Sequence, residues 1–268
     1  MEERPTSPVG SPQTVASGSG EPTPPAEEPA ESRGFLWRIQ ALFFEPSSAF
    51  ADIARRPTFL AAMLLCIVLS IITTALIFSR IDMAEVLRQQ IAQSPAAENM
   101  TREQIDNQVE QIMASPVFSV MQWVGAVLGS PISMLVIAGV LLLMVYLMGG
   151  ETSYRKLLAV TAHAYIPYTI VYGGLAVLIY HLAPDPSAID IQNPVYANLG
   201  PLADAKESPV LNRFLAGLDL LNFWVIYLLG TGIAAVTPRF KKSKAIAAVA
   251  IPYGLYVLVG MIWRALFS

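Results

Sequence analysis

Apolar and polar positions along the chain separate into five long apolar stretches, joined by shorter amphipathic and polar ones. A helix rises about 1.5 Å per residue, so about 20 apolar residues cross a 30 Å hydrocarbon core. Residues 58–78 meet that requirement without a charge. Residues 117–147 exceed it, so this helix must tilt, kink or begin along the surface. Ser130-Pro131 marks the kink point, because proline removes a helical donor and crowds the preceding turn. Residues 157–183, 214–236 and 245–267 complete the set, with Pro167 inside the third and Pro252 inside the fifth. The pattern predicts an all-α membrane protein, a five-transmembrane-helix bundle with interfacial amphipathic helices. A soluble bundle would not carry five uncharged or nearly uncharged stretches of this length.

Two amphipathic regions flank the first span. In 34–57, Phe35, Leu36, Ile39, Leu42 and Phe43 recur at helical spacing, with Arg38 and Gln40 between them. This predicts a short helix lying in the headgroup region, where aromatics and arginines are both stable. Pro46 suits the first turn of a second short helix with Phe50 and Ile53 on one face, ended by Arg55, Arg56 and Pro57. In the loop 79–116, Ala84, Leu87 and Ile91 form one stripe, and Ile105, Val109, Ile112 and Met113 form another. Thr101 with Gln104 matches a capping box that starts the second of these helices.

Composition agrees with the membrane reading. Hydrophobic residues make up 54% and charged residues 14%, against about 25% charged in a soluble domain; mean hydropathy is +0.51. Residues 1–33 stand apart, with seven of the twenty prolines, six acids, two bases and no aromatic residue. Such a segment buries too little apolar surface to offset its ordering entropy, which predicts a disordered acidic Pro-rich tail. No apolar run follows a basic start there, as a secretory signal requires. The net charge of −3 carries no basic nucleic-acid footprint. One cysteine, Cys66, and two histidines supply neither an internal disulfide nor a usual zinc site.

Charge sets the expected orientation. Arg38, Arg55 and Arg56 precede the first span, Arg155 and Lys156 lie between the second and third, and Arg239, Lys241, Lys242 and Lys244 lie between the fourth and fifth. The loops 79–116 and 184–213 carry ten acids and five bases. Positive residues mark the cytoplasmic side, so the N-terminus is expected inside and the C-terminus outside. Trp37, Arg38, Arg239, Lys241, Lys242 and Lys244 are the candidate membrane-surface contacts.

Within the spans, Asp219 carries the most information. It falls about six residues inside 214–236, or about 9 Å from the outer end, and ionisable residues at membrane depth are functional candidates by default. Asn222 lies one turn on, and Gln122 of the second span enters from the same side, so Gln122, Asp219 and Asn222 form a candidate intramembrane polar cluster. One reading is an ion or substrate contact; the preferred one is interhelical hydrogen bonding, worth about 1 kcal/mol. His163 lies toward the opposite end, so a relay to Asp219 lacks its geometry. Tyr165, Tyr168 and Tyr172 read as bundle-filling residues that bond a neighbouring helix. The pairs Gly125/Gly129, Gly173/Gly174 and Gly230/Gly232 offer close helix approach, and Gly149-Gly150 reads as a helix stop. No phosphate loop, zinc-protease pair or serine elbow is present, so no enzyme activity and no cofactor are expected.

Three segments together, FFEPSSAFADIARRP, GGETSYRKLLAVTAHAYIP and LDLLNFWVIYLLGTGIAAV, resemble the Yip domain family, named for members that bind Ypt/Rab GTPases. The resemblance covers about residues 35–266 and is nearer to the bacterial branch in Pro46 with Phe50, Gly149-Gly150, Tyr154, Pro167, and Asp219 with Trp224. It implies five spans, a cytoplasmic N-terminus and a bacterial inner-membrane location. The eukaryotic branch carries Asp-Leu-Tyr-Gly-Pro before its first span. Here that region reads ARRPTFL, so GTPase binding is not carried over.

The expected function is a non-enzymatic scaffold that organises membrane or protein partners at the cytoplasmic face. Its expected partners are the lipid bilayer and other membrane proteins. The rival is a transporter or channel component using the cluster around Asp219, discriminated by a wet polar cavity in the bundle.

Overall fold

A computed structural model describes residues 33–267, apart from 93, 95–99, 192 and 206. The expected tail therefore lies, but for Arg33, outside the described residues. Among the described residues, ten α-helices follow in order: α1 (Phe35–Phe44), α2 (Pro46–Arg55), α3 (Leu60–Phe78), α4 (Met83–Ala92), α5 (Arg102–Ala114), α6 (Pro116–Leu147), α7 (Tyr154–Leu182), α8 (Pro209–Gly217), α9 (Leu220–Val236) and α10 (Lys242–Phe267). There is no sheet among the described residues, only an isolated bridge between Asn198 and Asp219.

Among the described residues, four helices, α3, α6, α7 and α10, are long and apolar enough to cross a membrane. The remaining expected span, 214–236, is divided. Phe214 to Gly217 belong to α8, Leu218 and Asp219 leave the helical conformation, and α9 restarts at Leu220 with 17 residues. At about 26 Å, α9 lies at the lower limit for a crossing. The break has a local cause: Asp219 adopts extended backbone angles and its carboxylate caps the new helix, a role in which aspartate is among the best residues.

Helix α7 forms the centre of the bundle. It packs on α3, α6 and α9, while α10 lies against α8 and α9. Its first half is almost wholly buried from Leu157 to Ala164, which explains why this span tolerates Thr161 and His163 better than a lipid-facing helix would. Thr161 and Thr169 return their hydroxyls to the carbonyls of Leu157 and Tyr165, so neither exposes an unmet donor to hydrocarbon. Helix α6 runs through Pro131 without interruption. It stops where expected: Gly149 takes a left-handed φ of 73°, which glycine adopts without a Cβ penalty, and the Gly150 amide donates to the Val145 carbonyl at 2.9 Å.

The two short N-terminal helices form where the periodicity places them, but their main apolar face is not interfacial. Leu42, Ala49, Phe50 and Ile53 are fully buried in the common core, α2 lying against α9 and α1 against α7. A Cβ on Gly232 of α9 would meet Phe50 Cδ1 at 2.9 Å and the Val160 side chain more closely still. Gly232 thus provides the recess that receives Phe50. Leu36 and Phe44 of α1 remain 80% exposed, a second apolar surface that the protein itself does not cover.

The other glycines divide in the same way. A Cβ at Gly230 would meet the Ile246 backbone, and one at Gly173 would meet Thr73 Oγ1 at 2.8 Å, so both serve close helix approach as expected, whereas a Cβ at Gly174 would meet nothing within 4 Å. Gly125 and Gly129 do not serve such approach either. Nothing lies within 4 Å of a Cβ at either position, because α6 stands away from α3 and α7 there.

The loop after α3 folds as two amphipathic helices. Thr101 and Gln104 form the expected capping box, with reciprocal bonds of 3.3 and 2.7 Å. Arg88 Nε donates to Asp106 Oδ1 at 2.7 Å, tying α4 to α5. The side chains these helices bury are Val86 and Val109; Val86 is a neighbour of the expected stripe rather than a member of it.

Candidate functional site

Asp219 sits at the junction of α8 and α9. Its Oδ1 accepts the Asn222 backbone amide at 2.8 Å, so one carboxylate oxygen satisfies an amide that the first helical turn leaves unpaired. The negative charge also lies at the positive end of the α9 dipole. Outside the helix, the Leu220 amide donates to the Ala197 carbonyl at 3.0 Å and the Leu199 amide to the Leu215 carbonyl at 3.2 Å. The loop before α8 is thereby laced to the break. From α10, the Tyr253 hydroxyl donates to the Gly217 carbonyl at 2.8 Å and also partners the Asn222 side chain. Asp219 is 8% exposed and lies within electrostatic range of Tyr168 and Tyr172 on α7.

Of the three residues expected to cluster, the structure joins Asp219 and Asn222 only. Gln122 is half-buried on α6 and hydrogen-bonds to neither. Helix α6 packs on α3, α7 and α10, whereas α9 packs on α7, α10 and α2. Asp219 is also a cap between two helices rather than a residue six places inside one. Its carboxylate thus has a structural occupation that needs no ion.

At the other end of the bundle, the basic residues separate by environment. Arg239 and Lys241 are exposed, and Arg239 has a left-handed φ of 58°. Lys242 Nζ donates to the Tyr227 hydroxyl at 3.2 Å and lies 4.5 Å from its ring centre. Lys244 lies over Phe240 at 5.2 Å. Arg33, rather than Arg38, lies over the ring of half-buried Trp37, at 4.2 Å.

Arg38 is the clear departure from a surface contact. It is 6% exposed, donates from Nε to Asp52 Oδ2 at 2.7 Å and from Nη1 to Thr58 Oγ1 at 3.0 Å. A charge this far from water must be paired, and α2 supplies the partner. Nearby, His163 is buried against the edge of Phe35, with ring centres 6.2 Å apart. Its Nδ1 lies 2.8 Å from the Ala159 carbonyl, and Nε2 has no hydrogen-bond partner.

Lys156 had no place among the expected contacts, yet it comes together with Arg239 and Lys241 around a pocket of about 420 Å³. Ala54 of α2 and Thr237 form further parts of its wall, and the Thr237 hydroxyl is buried without a partner. The signal in the sequence was the basic character of both loops; their convergence depends on α7 and α9 packing side by side. Among the described residues, no three His, Cys, Asp or Glu side chains are placed to hold a metal ion.

The family model of the Yip1 domain matches residues 40–264. No curated protein and no solved structure matches the chain.

Proposed function

The chain belongs to the Yip1 domain family, and from that premise we propose that it is a non-enzymatic membrane scaffold organising lipid and protein partners at its cytoplasmic face. The observation that carries this reading is the pocket formed by Lys156, Arg239 and Lys241. Three cations, one from the first turn of α7 and two from the α9–α10 loop, offer an attachment point for anionic groups, each basic residue near an anionic surface being worth about 1 kcal/mol.

In this reading α9 crosses the membrane as the fourth of five spans, despite its 17 residues, and α1 and α2 lie inside with the tail. The C-terminus is outside, and the location is a bacterial inner membrane. GTPase binding has no support, since the segment before the first span lacks the eukaryotic signature. The transporter reading is weaker, because Asp219 is occupied as a helix cap and the polar cavity between α3, α6 and α7 is lined by hydroxyls without a charged residue.

The test is affinity purification of the full chain from native membranes, with identification of retained lipids and proteins. The wild type should retain anionic lipid and a defined set of proteins, and a Lys156→Ala/Arg239→Ala/Lys241→Ala variant should lose them. Equal retention by both, with normal folding, sinks the scaffold reading.

A further inference from the structure

Between α3, α6 and α7 lies a second cavity, of about 450 Å³, within the range that holds small ligands. Ser70, Thr73 and Thr74 on α3 and Ser130 and Ser133 on α6 contribute to its wall, with Tyr165, Tyr168 and Tyr172 on α7. Tyr168 and Tyr172 are stacked, their ring centres 5.3 Å apart. None of these eight hydroxyls bonds to another described residue. That departs from the expectation that the tyrosines bond a neighbouring helix. It also contrasts with Thr169 beside them, which returns its hydroxyl to the Tyr165 carbonyl at 2.9 Å. In hydrocarbon, where no water completes a hydrogen bond, one unmet hydroxyl is costly, and eight at one place call for a partner.

Two further features define that partner. No Asp, Glu, Lys, Arg or His lines the cavity, so a phosphate, carboxylate or ammonium group would enter without a counter-charge. The cavity also opens sideways. Gly125, Gly129 and Ser133 follow one another at four-residue steps on one face of α6, all three are exposed, and the two glycines meet no neighbouring atom. Thr74 and Ser70 lie four and eight residues from the end of α3 at Phe78, about 6 and 12 Å along the helix. The site thus reaches from near the membrane boundary into the hydrocarbon, below the depth of a charged headgroup.

We propose that this cavity binds an uncharged membrane lipid whose head carries hydroxyl or ester carbonyl oxygens, of the diacylglycerol kind, entering from the bilayer past Gly125 and Gly129. The wall hydroxyls donate to its carbonyls and accept from its hydroxyl, and the chains leave past Gly125 and Gly129 on α6. The site is separate from the basic pocket and does not depend on the scaffold reading.

The test uses the full chain in phosphatidylcholine vesicles containing either a diazirine-labelled diacylglycerol or a diazirine-labelled phosphatidylglycerol at equal mole fraction. After irradiation, adducts are mapped by mass spectrometry. Diacylglycerol should label α3, α6 and α7 around the cavity, and phosphatidylglycerol should not. Gly129→Phe places a ring in open space, so it should fold normally and reduce diacylglycerol labelling by about tenfold, equivalent to 1.4 kcal/mol of binding. Gly139→Phe, also in open space but outside the cavity wall, should leave labelling unchanged. If Gly129→Phe does not fold, Ser70→Ala/Thr74→Val removes two of the hydroxyls and makes the same prediction. Labelling by neither lipid, equal labelling by both, or undiminished labelling in the folded cavity variant overturns the proposal, leaving water or a second copy of the chain to fill the space.

Discussion

Arg38 and Asp52 face each other across 2.7 Å, with side chains only 7% and 13% exposed, and their contact joins α1 to α2. Breaking a buried pair from one side leaves a charge without its partner and costs about 3–5 kcal/mol. Replacing both residues by apolar ones removes the desolvation penalty together with the attraction. Asp52→Ala should therefore lower the thermal unfolding midpoint in detergent strongly, and Arg38→Met/Asp52→Leu should lower it much less. A double variant at least as unstable as the single one would mean that the pair is held for its charge.

The outer face of α1 gives a separate prediction. Leu36 and Phe44 are 80% exposed, as expected of side chains that meet lipid rather than protein. With Cys66 replaced by alanine, a nitroxide at either position should collide with oxygen more often than with a water-soluble nickel complex. One at Arg55, exposed in the basic last turn of α2, should show the reverse. Equal accessibility at all three sites would place α1 in water.

Orientation is tested by thiol labelling in intact cells. Ser243→Cys, beside Lys242 and Lys244, should be protected from an impermeant reagent, and Glu207→Cys in the opposite loop should react, again with Cys66→Ala. Both positions are exposed in the folded chain, so burial does not mask the result. The opposite pattern overturns the inside assignment of the basic loops.

Asp219 makes a graded prediction because capping and charge have different requirements. Asparagine caps a helix about as well as aspartate, whereas alanine in place of a cap costs about 0.5–2 kcal/mol. Asp219→Asn should stay close to wild type in thermal stability, and Asp219→Ala should fall by that amount. Loss of stability in the asparagine variant would show that the negative charge itself holds the α8–α9 junction.

The residues that announced their structure and those that did not differ in a consistent physical way. Thr101 with Gln104, and Gly149 after a long apolar run, act through neighbours three or four positions away, so their roles are readable locally. Asp219 carried a local signal too, since aspartate is among the preferred helix N-caps and here directly follows Gly217-Leu218. The apolar run of 214–236 continues across it and hides the break. Arg38 could not be assigned from its surroundings, because its partner lies 14 residues away across a turn at Glu45. Composition likewise cannot tell whether Leu42, Phe50 and Ile53 meet lipid or protein, since both are equally apolar. The convergence of hydroxyls from α3, α6 and α7 depends on which helices are neighbours. Helical spacing alone does not state that.

The recess at Gly232 ties the first part of the chain to nearly the last. Phe50 leaves the ribosome early, but the helix that receives it is completed only after about 180 further residues, at the synthesis pace of roughly 5–20 residues per second typical of cells. Through that interval the flank of α9 that covers Phe50 is missing, although α7, which also packs on α1 and α2, is complete earlier. Full burial of Phe50 is then a late event, completed only when the flank of α9 arrives. A chain arrested before α9 would leave Phe50 partly uncovered, so burial of that ring reports that α9 has docked.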